Sequence, residues 1–245
     1  MCTVLLAHRV IPGMRLVVVA NRDERLSRAS SPPFVWPDGF VAPRDDVAGG
    51  TWLGLNRHGV FVAITNRHGA FADPARVSRG QLVEHALHAT SARAIHDAAR
   101  TIPGGRHNGF HLVYADAHDV LATFSDGETN AQTTLGAGVH FVTERSFGAG
   151  DDRARVARIR EAWTDAKRAT FAIDHFTRVL SAHDAVDPFA APCVHVPGFD
   201  YGTRSAMVLA ISETPAEGAQ MLWAEGPPCT TSFAPITLSS LQETR

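Results

Sequence analysis

Short apolar and β-branched runs separated by turn residues constrain the first third of this chain to antiparallel β-structure. Thr3 to His8 and Leu16 to Ala20 flank Pro12 and Gly13, which are residue types that a hairpin turn favours. A second pair of such runs lies within residues 51–65, and its continuously apolar part predicts strands covered on both faces. We therefore expect two successive hairpins.

Two longer segments have the three- and four-residue apolar spacing of amphipathic helices. Residues 78–99 predict one helix with Ser78 as its N-cap, and residues 151–180 predict a second helix that is broken. The proline-rich residues 30–43 predict an irregular surface loop. Strands interrupted by two helical blocks predict an α+β layered fold. The later strands are expected at residues 109–115, 120–124, 139–143, 205–211 and 220–224.

Length and charge restrict the partners of the protein. At 245 residues, 44% of them hydrophobic, the chain is long enough for one sizeable core, and we expect a single domain over residues 1–245. The formal net charge of −2 removes the electrostatic case for binding nucleic acid or an anionic membrane. The longest apolar runs fall short of the roughly 18 residues that indicate a membrane span. A small-molecule partner is therefore expected, and the sequence leaves the oligomeric state open.

The three cysteines, Cys2, Cys193 and Cys229, have no short metal-type spacing. Their odd number, together with an N-terminus unlike a secretion leader, predicts reduced thiols in a cytoplasmic protein. Cys193 and Cys229 are interpreted as buried, inert thiols. His85 and His88 lie three residues apart on the first predicted helix, but no third ligand accompanies them. We therefore expect no metal site.

Cys2 carries the strongest chemical indication in the chain. A small residue after the initiator Met is commonly exposed by Met removal, which would place a thiol and a free α-amine on one residue. An α-amine with a pKa of roughly 7.7 to 8.0 can accept the proton of a thiol with a pKa near about 8.5. The alternative is that Cys2 packs as a small apolar residue at the head of the first strand.

A polar cluster ends the second predicted strand, which pairs with the strand of Cys2. Because strand side chains alternate, Asn21 and Asp23 should share one face while Arg22 and Glu24 share the other. A carboxylate beside the Cys2 amine would orient the amine and favour its protonated form. The alternative is that Asp23 and Glu24 merely lead into a turn.

Six short motifs occur in order along the chain. They are Met1-Cys2-Thr3, Val18-Val19-Ala20-Asn21-Arg22-Asp23-Glu24, Gly49-Gly50-Thr51-Trp52-Leu53-Gly54, Ala63-Ile64-Thr65-Asn66, Asn108-Gly109-Phe110 and Tyr201-Gly202-Thr203-Arg204-Ser205. Together they resemble the NRDE family, which is also known as the transport-and-Golgi-organisation family. The resemblance runs from residue 1 to about residue 211 and so covers most of the chain.

The resemblance implies a four-layer αββα sandwich of antiparallel sheets, the N-terminal-nucleophile hydrolase fold of choloylglycine hydrolase and penicillin V acylase. By that more distant similarity, Cys2 would be the nucleophile and its α-amine the general base. Asp23 would orient the amine, Asn66 would donate a hydrogen bond to the oxyanion, and Arg204 would support the site. One preorganised donor of this kind can be worth roughly 10²–10³ in rate.

One position departs from the pattern of choloylglycine-type enzymes. Those enzymes carry Arg three residues before the catalytic Asp, where this chain has Ala20. Arg22 adjoins that Asp and is predicted to point away, in a structural pair with Glu24 or with a carboxylate of residues 44–46. Arg204 is the expected substitute, and its positive charge would lower the thiol pKa.

Three further residues are candidates for substrate binding. Asn21 belongs to the polar strand end described above. Asn108, which precedes a glycine, would either add an amide donor to the pocket or form a turn. Trp52 follows a pair of glycines and would either anchor the core beside a tight turn or line a place where substrate approaches the backbone.

Two functions of different classes are compatible with these residues. The first is an amidohydrolase or acyltransferase that acts on a small amide through a Cys2 thioester, with water or an amine as acceptor and no cofactor. The second is a carrier or chaperone for haem or another hydrophobic ligand, because the family resemblance implies links to haem trafficking and to lipid or Golgi homeostasis. In that case Cys2, His8 or another exposed histidine would be the axial haem ligand.

Overall fold

The computed structural model describes residues 2–168, 173–184, 186–214 and 218–238. Its strands form two seven-stranded antiparallel sheets, one in each of two compact units. In chain order the elements are β1 (Cys2–Ile11), β2 (Met14–Arg25), β3 (Ser30–Val35), β4 (Phe40–Asp45), β5 (Leu53–Asn56), β6 (Phe61–Asn66), α1 (Gly80–Ala86), α2 (Ala92–Ala99), β7 (Phe110–Ala115), β8 (Val120–Ser125), β9 (Asn130–Thr134), β10 (Gly138–Thr143), α3 (Arg153–Arg168), β11 (His195–Val196), β12 (Tyr201–Ser212), β13 (Ala219–Ala224) and β14 (Ala234–Ile236).

The first unit comprises Met1–Arg28, Gly138–Thr143 and Asp151–Thr237. Its sheet has the strand order β10-β1-β2-β12-β13-β14, with β11 paired to β12. The predicted N-terminal hairpin is confirmed, with Gly13 at a positive φ of 78° in its turn. Strand β2 continues to Arg25, and beyond Arg22 it remains paired with β12, so the polar strand end predicted from sequence lies within the sheet rather than in a turn.

One face of the first sheet packs against α3 and the segment after it, and the apolar stripe predicted for residues 151–180 supplies that contact. Ile159 and Trp163 of α3 are buried there with Phe176, while the predicted Phe171 lies outside the described residues. A 3₁₀ turn at Ile173–Arg178 follows α3. Alternate strand residues complete the cluster, namely Leu5, Ala7, Val17, Val19, Val208 and Ala210.

The second unit comprises Ala29–Ala137, Glu144–Gly150 and Leu238–Arg245, and its strands follow chain order from β3 to β9. The single helix predicted over residues 78–99 is wrong, because two short helices are present. The Ser91 hydroxyl accepts a hydrogen bond from the Ala94 N–H at 3.1 Å and caps a new helix there. The Asn56 amide holds the break by donating to the carbonyls of Leu87 and Ala89 at 2.9 and 2.7 Å.

The irregular loop predicted for residues 30–43 is also wrong, because β3 and β4 form a hairpin across it. Strand β3 lies at the edge of the sheet, where proline is tolerated because one side of the strand needs no ladder donor. A register shift between Ser31 and Phe34 accommodates Pro32 and Pro33. The prolines therefore mark a bulged edge strand.

Candidate active site at the head of β1

Cys2 begins β1 and lies directly opposite Arg22 of β2. Cross-strand partners project from the same face of a sheet, so the half-buried Cys2 thiol and the Arg22 guanidinium share one side. Arg22 is only 5% exposed, and its Nη2 lies 4.0 Å from the Glu24 carboxylate. The predicted pair with Glu24 is therefore present. The expectation that Arg22 points away from the site is wrong, since its cross-strand neighbour is the candidate nucleophile.

Burial raises the pKa of the Cys2 thiol above its ordinary value, and the nearby negative charge of Asp23 acts in the same direction. The positive charge of Arg22 and a hydrogen bond from the Asp23 backbone partly oppose this rise in pKa. The thiol is therefore protonated at neutral pH. A base must take its proton before the sulfur can attack.

The Asp23 side chain is fully buried and is held by contacts on the α3 side of the sheet. The Thr203 hydroxyl donates to Asp23 Oδ1 at 2.7 Å, and Arg155 Nη2 lies 3.4 Å from Oδ2. Arg155 Nη1 also donates to the Thr3 hydroxyl at 3.1 Å, while the Thr203 oxygen accepts the Val194 N–H at 2.9 Å. The carboxylate thus belongs to a buried network that joins β1, β2, β12 and α3.

Sequence reasoning missed Arg155 and Thr203. Arg155 lies four residues before Ile159 and eight before Trp163, so a charged residue occupies the buried stripe of an amphipathic helix. A charged residue within this apolar stripe could have indicated from the sequence that Arg155 is buried beside a carboxylate. Thr203 lies within the quoted Tyr-Gly-Thr-Arg-Ser motif and was passed over in favour of its neighbour Arg204.

Arg204 occupies a β-bulge. Asp23 pairs with Thr203 and Arg22 pairs with Ser205, which leaves Arg204 as an extra residue in β12. Its Nε donates to the Arg28 carbonyl at 3.3 Å, and its Nη1 lies 3.9 Å from the Glu225 carboxylate. The arginine charge found opposite the Cys2 thiol is that of Arg22. The expected substitution by Arg204 stays a prediction.

Asn21 is completely buried on β2. Its amide nitrogen donates to the carbonyls of Leu180 and Pro192 at 3.0 and 2.9 Å. Both amide protons therefore tie the sheet to two backbone segments. These contacts give Asn21 a role in holding those segments, and its contact with substrate stays a prediction.

Asn66 and Asn108 lie in the second unit and have different surroundings. Asn66 ends β6 with an exposed side chain. Asn108 accepts the Asp73 N–H and donates to the Asp73 carbonyl, both at 2.8 Å. The Asn108 amide therefore clamps the backbone of a neighbouring loop, which supports the turn-forming alternative over a contact with substrate.

Trp52 also lies in the second unit and is 8% exposed, as the core-anchor interpretation predicts. Gly50, two residues before Trp52, is required by packing, since an added Cβ would lie 2.7 Å from the carbonyl carbon of Gly80 at the start of α1. The close approach at this turn is thus made by the protein's own backbone.

The histidines considered in the sequence have structural surroundings. His8 is 1% exposed, so it is not the exposed axial haem ligand of the carrier hypothesis. His85 lies on α1, whereas His88 lies beyond the end of α1 and packs edge-on against Phe40 at 5.7 Å between ring centroids. The two histidines therefore do not form a helical ligand pair.

We expect Arg22→Gln to raise the pKa of the Cys2 thiol further, because a positive charge that favours the thiolate is removed. At neutral pH, alkylation of Cys2 by iodoacetamide should slow several-fold, with its rate rising at higher pH than in the parent protein. Mass spectrometry of the Cys2 peptide measures this rate. Arg204→Gln is the matched control and should leave the pH dependence of the alkylation rate unchanged. If Arg204→Gln alone shifted that dependence, Arg204 would be the arginine that stabilises the Cys2 thiolate.

Comparison with known proteins places the chain in a family. Residues 1–220 match the family model described as Transport and Golgi organisation 2. The chain belongs to this family.

Curated relatives in the Transport and Golgi organisation 2 family show the same similarity. The mouse and human homologues are 32% and 33% identical over 107 residues, which are 42% of this chain and 39% of each relative. A Bos taurus homologue is 26% identical over 233 residues, covering 80% of this chain and 82% of the relative. The match to the mouse and human proteins thus spans about two fifths of their length.

Solved structures show the fold of this Transport and Golgi organisation 2 family member. Penicillin V acylase from Agrobacterium tumefaciens has a TM-score of 0.61 at 14% identity, covering 100% of this chain and 89% of that chain. A Caenorhabditis elegans ortholog of N-acylethanolamine-hydrolyzing acid amidase has a TM-score of 0.58 at 12% identity, covering 84% of this chain and 92% of that chain. A C2A mutant of conjugated bile acid hydrolase from Clostridium perfringens scores 0.56 at 12% identity, covering 97% of both. The predicted α+β fold of the αββα, N-terminal-nucleophile hydrolase class is confirmed.

Proposed function

We propose that this protein is an amide hydrolase or acyltransferase whose nucleophile is the Cys2 thiol. The observation that carries the proposal is the half-buried thiol at the head of β1, one residue after Met1 and opposite the charge of Arg22. The names of the three structural relatives support it, since they denote an acid amidase, a bile acid hydrolase and a penicillin acylase. The proposed substrate class is therefore a small molecule with an amide bond.

The proposed reaction begins after Met1 is removed, when the Cys2 α-amine takes the thiol proton. The sulfur attacks the substrate carbonyl carbon, the carbon–nitrogen bond breaks, and the ammonium proton goes to the leaving amine. This gives a Cys2 thioester and a free α-amine. Water or a second amine then attacks the thioester with the α-amine as base, and the sulfur leaves as a thiolate that regains its proton.

The other residues have supporting roles in this proposal. The Arg22 charge stabilises the Cys2 thiolate, and the negative charge of Asp23 favours the protonated α-amine. Asn66 stays the oxyanion donor that the family resemblance implies, and its side chain is exposed at the end of β6 within the second unit. Arg204 is assigned to the bulge of β12, where it holds the Arg28 carbonyl and Glu225.

The environment of the protein is part of the same proposal. The three cysteines are free thiols, which fits the reducing cytoplasm expected from the sequence. Among the described residues, no helix has both the length and the apolar character needed to cross a membrane.

The intact mass of untagged protein, before and after exposure to small amide and thioester acyl donors, tests the proposal. Loss of Met1 and one acyl adduct that maps to Cys2 are expected. Retention of Met1 would contradict the mechanism, because the α-amine of Cys2 would then be part of a peptide bond. An adduct that maps to another residue would contradict the choice of nucleophile.

A groove in the second unit favours one other candidate function, the carrier of a hydrophobic ligand. It has a volume of about 350 Å³ and lies between α1 and α2, with Leu82, Ile95, Ala98, Ile102 and Leu112 among its lining residues. This volume is within the range of small-molecule sites, and the lining is mostly apolar. An acyl chain is the ligand chemistry that such a groove would hold.

We expect Ala98→Trp to abolish saturable binding of a medium-chain fatty acid such as dodecanoate, because the indole would fill the groove. Isothermal titration calorimetry of the parent protein and the variant measures the difference. The exposed Ala131 of β9 offers the matched control Ala131→Trp, which should bind as the parent does. Equal binding by all three proteins, or none by the parent, would reject the groove as a carrier site.

A further inference from the structure

Four side chains of metal-binding type meet in the first unit. His183 lies after the 3₁₀ turn that follows α3, Cys193 and His195 bracket the start of β11, and Cys229 lies in the loop after β13. One ligand atom from each residue lies within 4.8 Å of all the others. Three separate segments of the chain therefore converge on one point with two sulfurs and two imidazoles.

The spacing of three of the four ligand atoms is that of a shared tetrahedral ion, and the atom of His183 lies within 4.8 Å of them. The two sulfurs, Cys193 Sγ and Cys229 Sγ, are 3.7 Å apart, and His195 Nε2 lies 3.4 and 3.3 Å from them. With Zn–S bonds of about 2.3 Å and Zn–N bonds of about 2.0–2.1 Å, tetrahedral angles give about 3.8 Å between sulfurs and about 3.5 Å between sulfur and nitrogen. A disulfide would need about 2.05 Å, so these thiols are separate.

His183 is the fourth residue of the cluster. Its Nδ1 lies 3.2 Å from the Cys193 carbonyl oxygen. A carbonyl only accepts hydrogen bonds, so Nδ1 carries the proton and Nε2 keeps the lone pair that a metal needs. Metal-binding histidines characteristically make such a hydrogen bond through the other ring nitrogen, which fixes the tautomer. The His183 and His195 rings lie 4.8 Å apart between centroids.

We infer that His183, Cys193, His195 and Cys229 form a structural site for one Zn²⁺ ion. Two sulfurs and two imidazole nitrogens in a tetrahedral arrangement select zinc over the harder cations, which prefer oxygen ligands. Four protein ligands leave no open position for water or substrate, which assigns the ion to structure rather than to catalysis. Binding breaks two S–H bonds, forms two Zn–S bonds and two Zn–N bonds, and releases two protons to solvent.

The ion would stabilise the segment from Cys193 to His195, which contacts the residues that hold Asp23. The Cys193 N–H donates to the Ala182 carbonyl at 3.1 Å, so the first two ligand segments are already joined. Val194, between two of the ligands, donates to Thr203, which in turn donates to Asp23. Zinc would therefore tie the loop after β13 to the backbone that holds the Asp23 partner.

Metal analysis of the full-length protein, purified under reducing conditions and dialysed with Zn²⁺, tests the inference. One zinc per chain is expected, and Co²⁺ in its place should give thiolate charge-transfer absorption with the intense visible bands of a tetrahedral site. Cys229→Ser and His195→Ala should lose the metal or bind it much more weakly. Cys2→Ser and the exposed His85→Ala are matched controls that should retain one metal per chain.

A thiol titration of the parent protein keeps the inference testable if those variants fail to fold. Zinc should protect two of the three thiols from alkylation, and a chelator should restore their reactivity. Equal alkylation of all three thiols before chelation, an octahedral cobalt spectrum, or a Cys193–Cys229 disulfide in the reduced preparation would each overturn the site. The inference stands apart from the proposed amide chemistry, since neither Cys2 nor turnover enters the measurement.

Discussion

Cys2→Ala is expected to abolish amide turnover and acyl-adduct formation together while the sheet remains folded. Removal of a nucleophile that acts with its base costs on the order of 10⁴-fold or more in turnover. The thiol is half-buried at the start of β1, so its loss should change the free energy of unfolding by about 1 kcal/mol or less. Turnover of an amide donor and a denaturant melt of the same sample measure the two effects.

A protein with one uncleavable residue added before Cys2 is the matched control for the role of the α-amine. It keeps the thiol, Arg22 and Asp23 but converts the proposed base into an amide nitrogen. Turnover should fall about as far as in Cys2→Ala, although the thiol still reacts with iodoacetamide at high pH. Full turnover in the extended protein would show that another group accepts the proton.

Arg155→Leu is expected to lower the free energy of unfolding by about 3–5 kcal/mol, because it leaves the Asp23 carboxylate buried without the Arg155 charge. The two side chains are 4% and 0% exposed, so water cannot replace the lost partner. Urea denaturation followed by circular dichroism measures the change. Adding Asp23→Asn to Arg155→Leu should recover part of the loss, since the uncompensated charge is then removed.

Arg158→Leu is the control from the same helix. Arg158 pairs with Asp184, but its side chain is 41% exposed, and solvent-exposed pairs contribute little to stability. This variant should therefore unfold near the parent midpoint. If Arg158→Leu and Arg155→Leu were equally destabilised, loss of helix packing rather than the buried charge would explain both. If Asp23→Asn recovered nothing, the buried charge would not be the cause.

Local patterns in the sequence were sufficient for the hairpins and for the apolar stripe of α3. The turn at Pro12 and Gly13 is a local feature of the sequence, and so is the apolar spacing of Ile159 and Trp163. Both can therefore be predicted without knowledge of the fold. Alternation also predicted correctly that Arg22 and Asp23 project from opposite faces. These features need no knowledge of which strand lies beside which.

The partner of Cys2 could not be predicted because it depends on a bulge. Ile11 lies opposite Met14, and a regular hairpin that continued from this pair would place Cys2 opposite Asp23. A register shift occurs between His8 and Ile11, where Arg9 has a φ of 55°. The shift moves the pairing by one residue and brings Arg22 opposite Cys2.

The metal-type cluster was missed for a related reason. Cys193 and Cys229 are 36 residues apart, and they come together only through the neighbours of β12 in the sheet. Arg155 of α3 contacts Asp23 across 132 positions, because the helix packs on the face of this sheet. Contacts of this range depend on strand order, which periodicity does not encode.

The bulge at Arg204 has a consequence for length variation in β12. Because Thr203 pairs with Asp23 and Ser205 with Arg22, deleting Arg204 would leave both flanks paired as they are now. A deletion at any position from 206 to 211 would instead transfer neighbouring residues to the opposite face of the sheet. Within residues 203–211 of β12, position 204 is therefore the one where a residue can be deleted while the buried residues of the strand keep their side of the sheet.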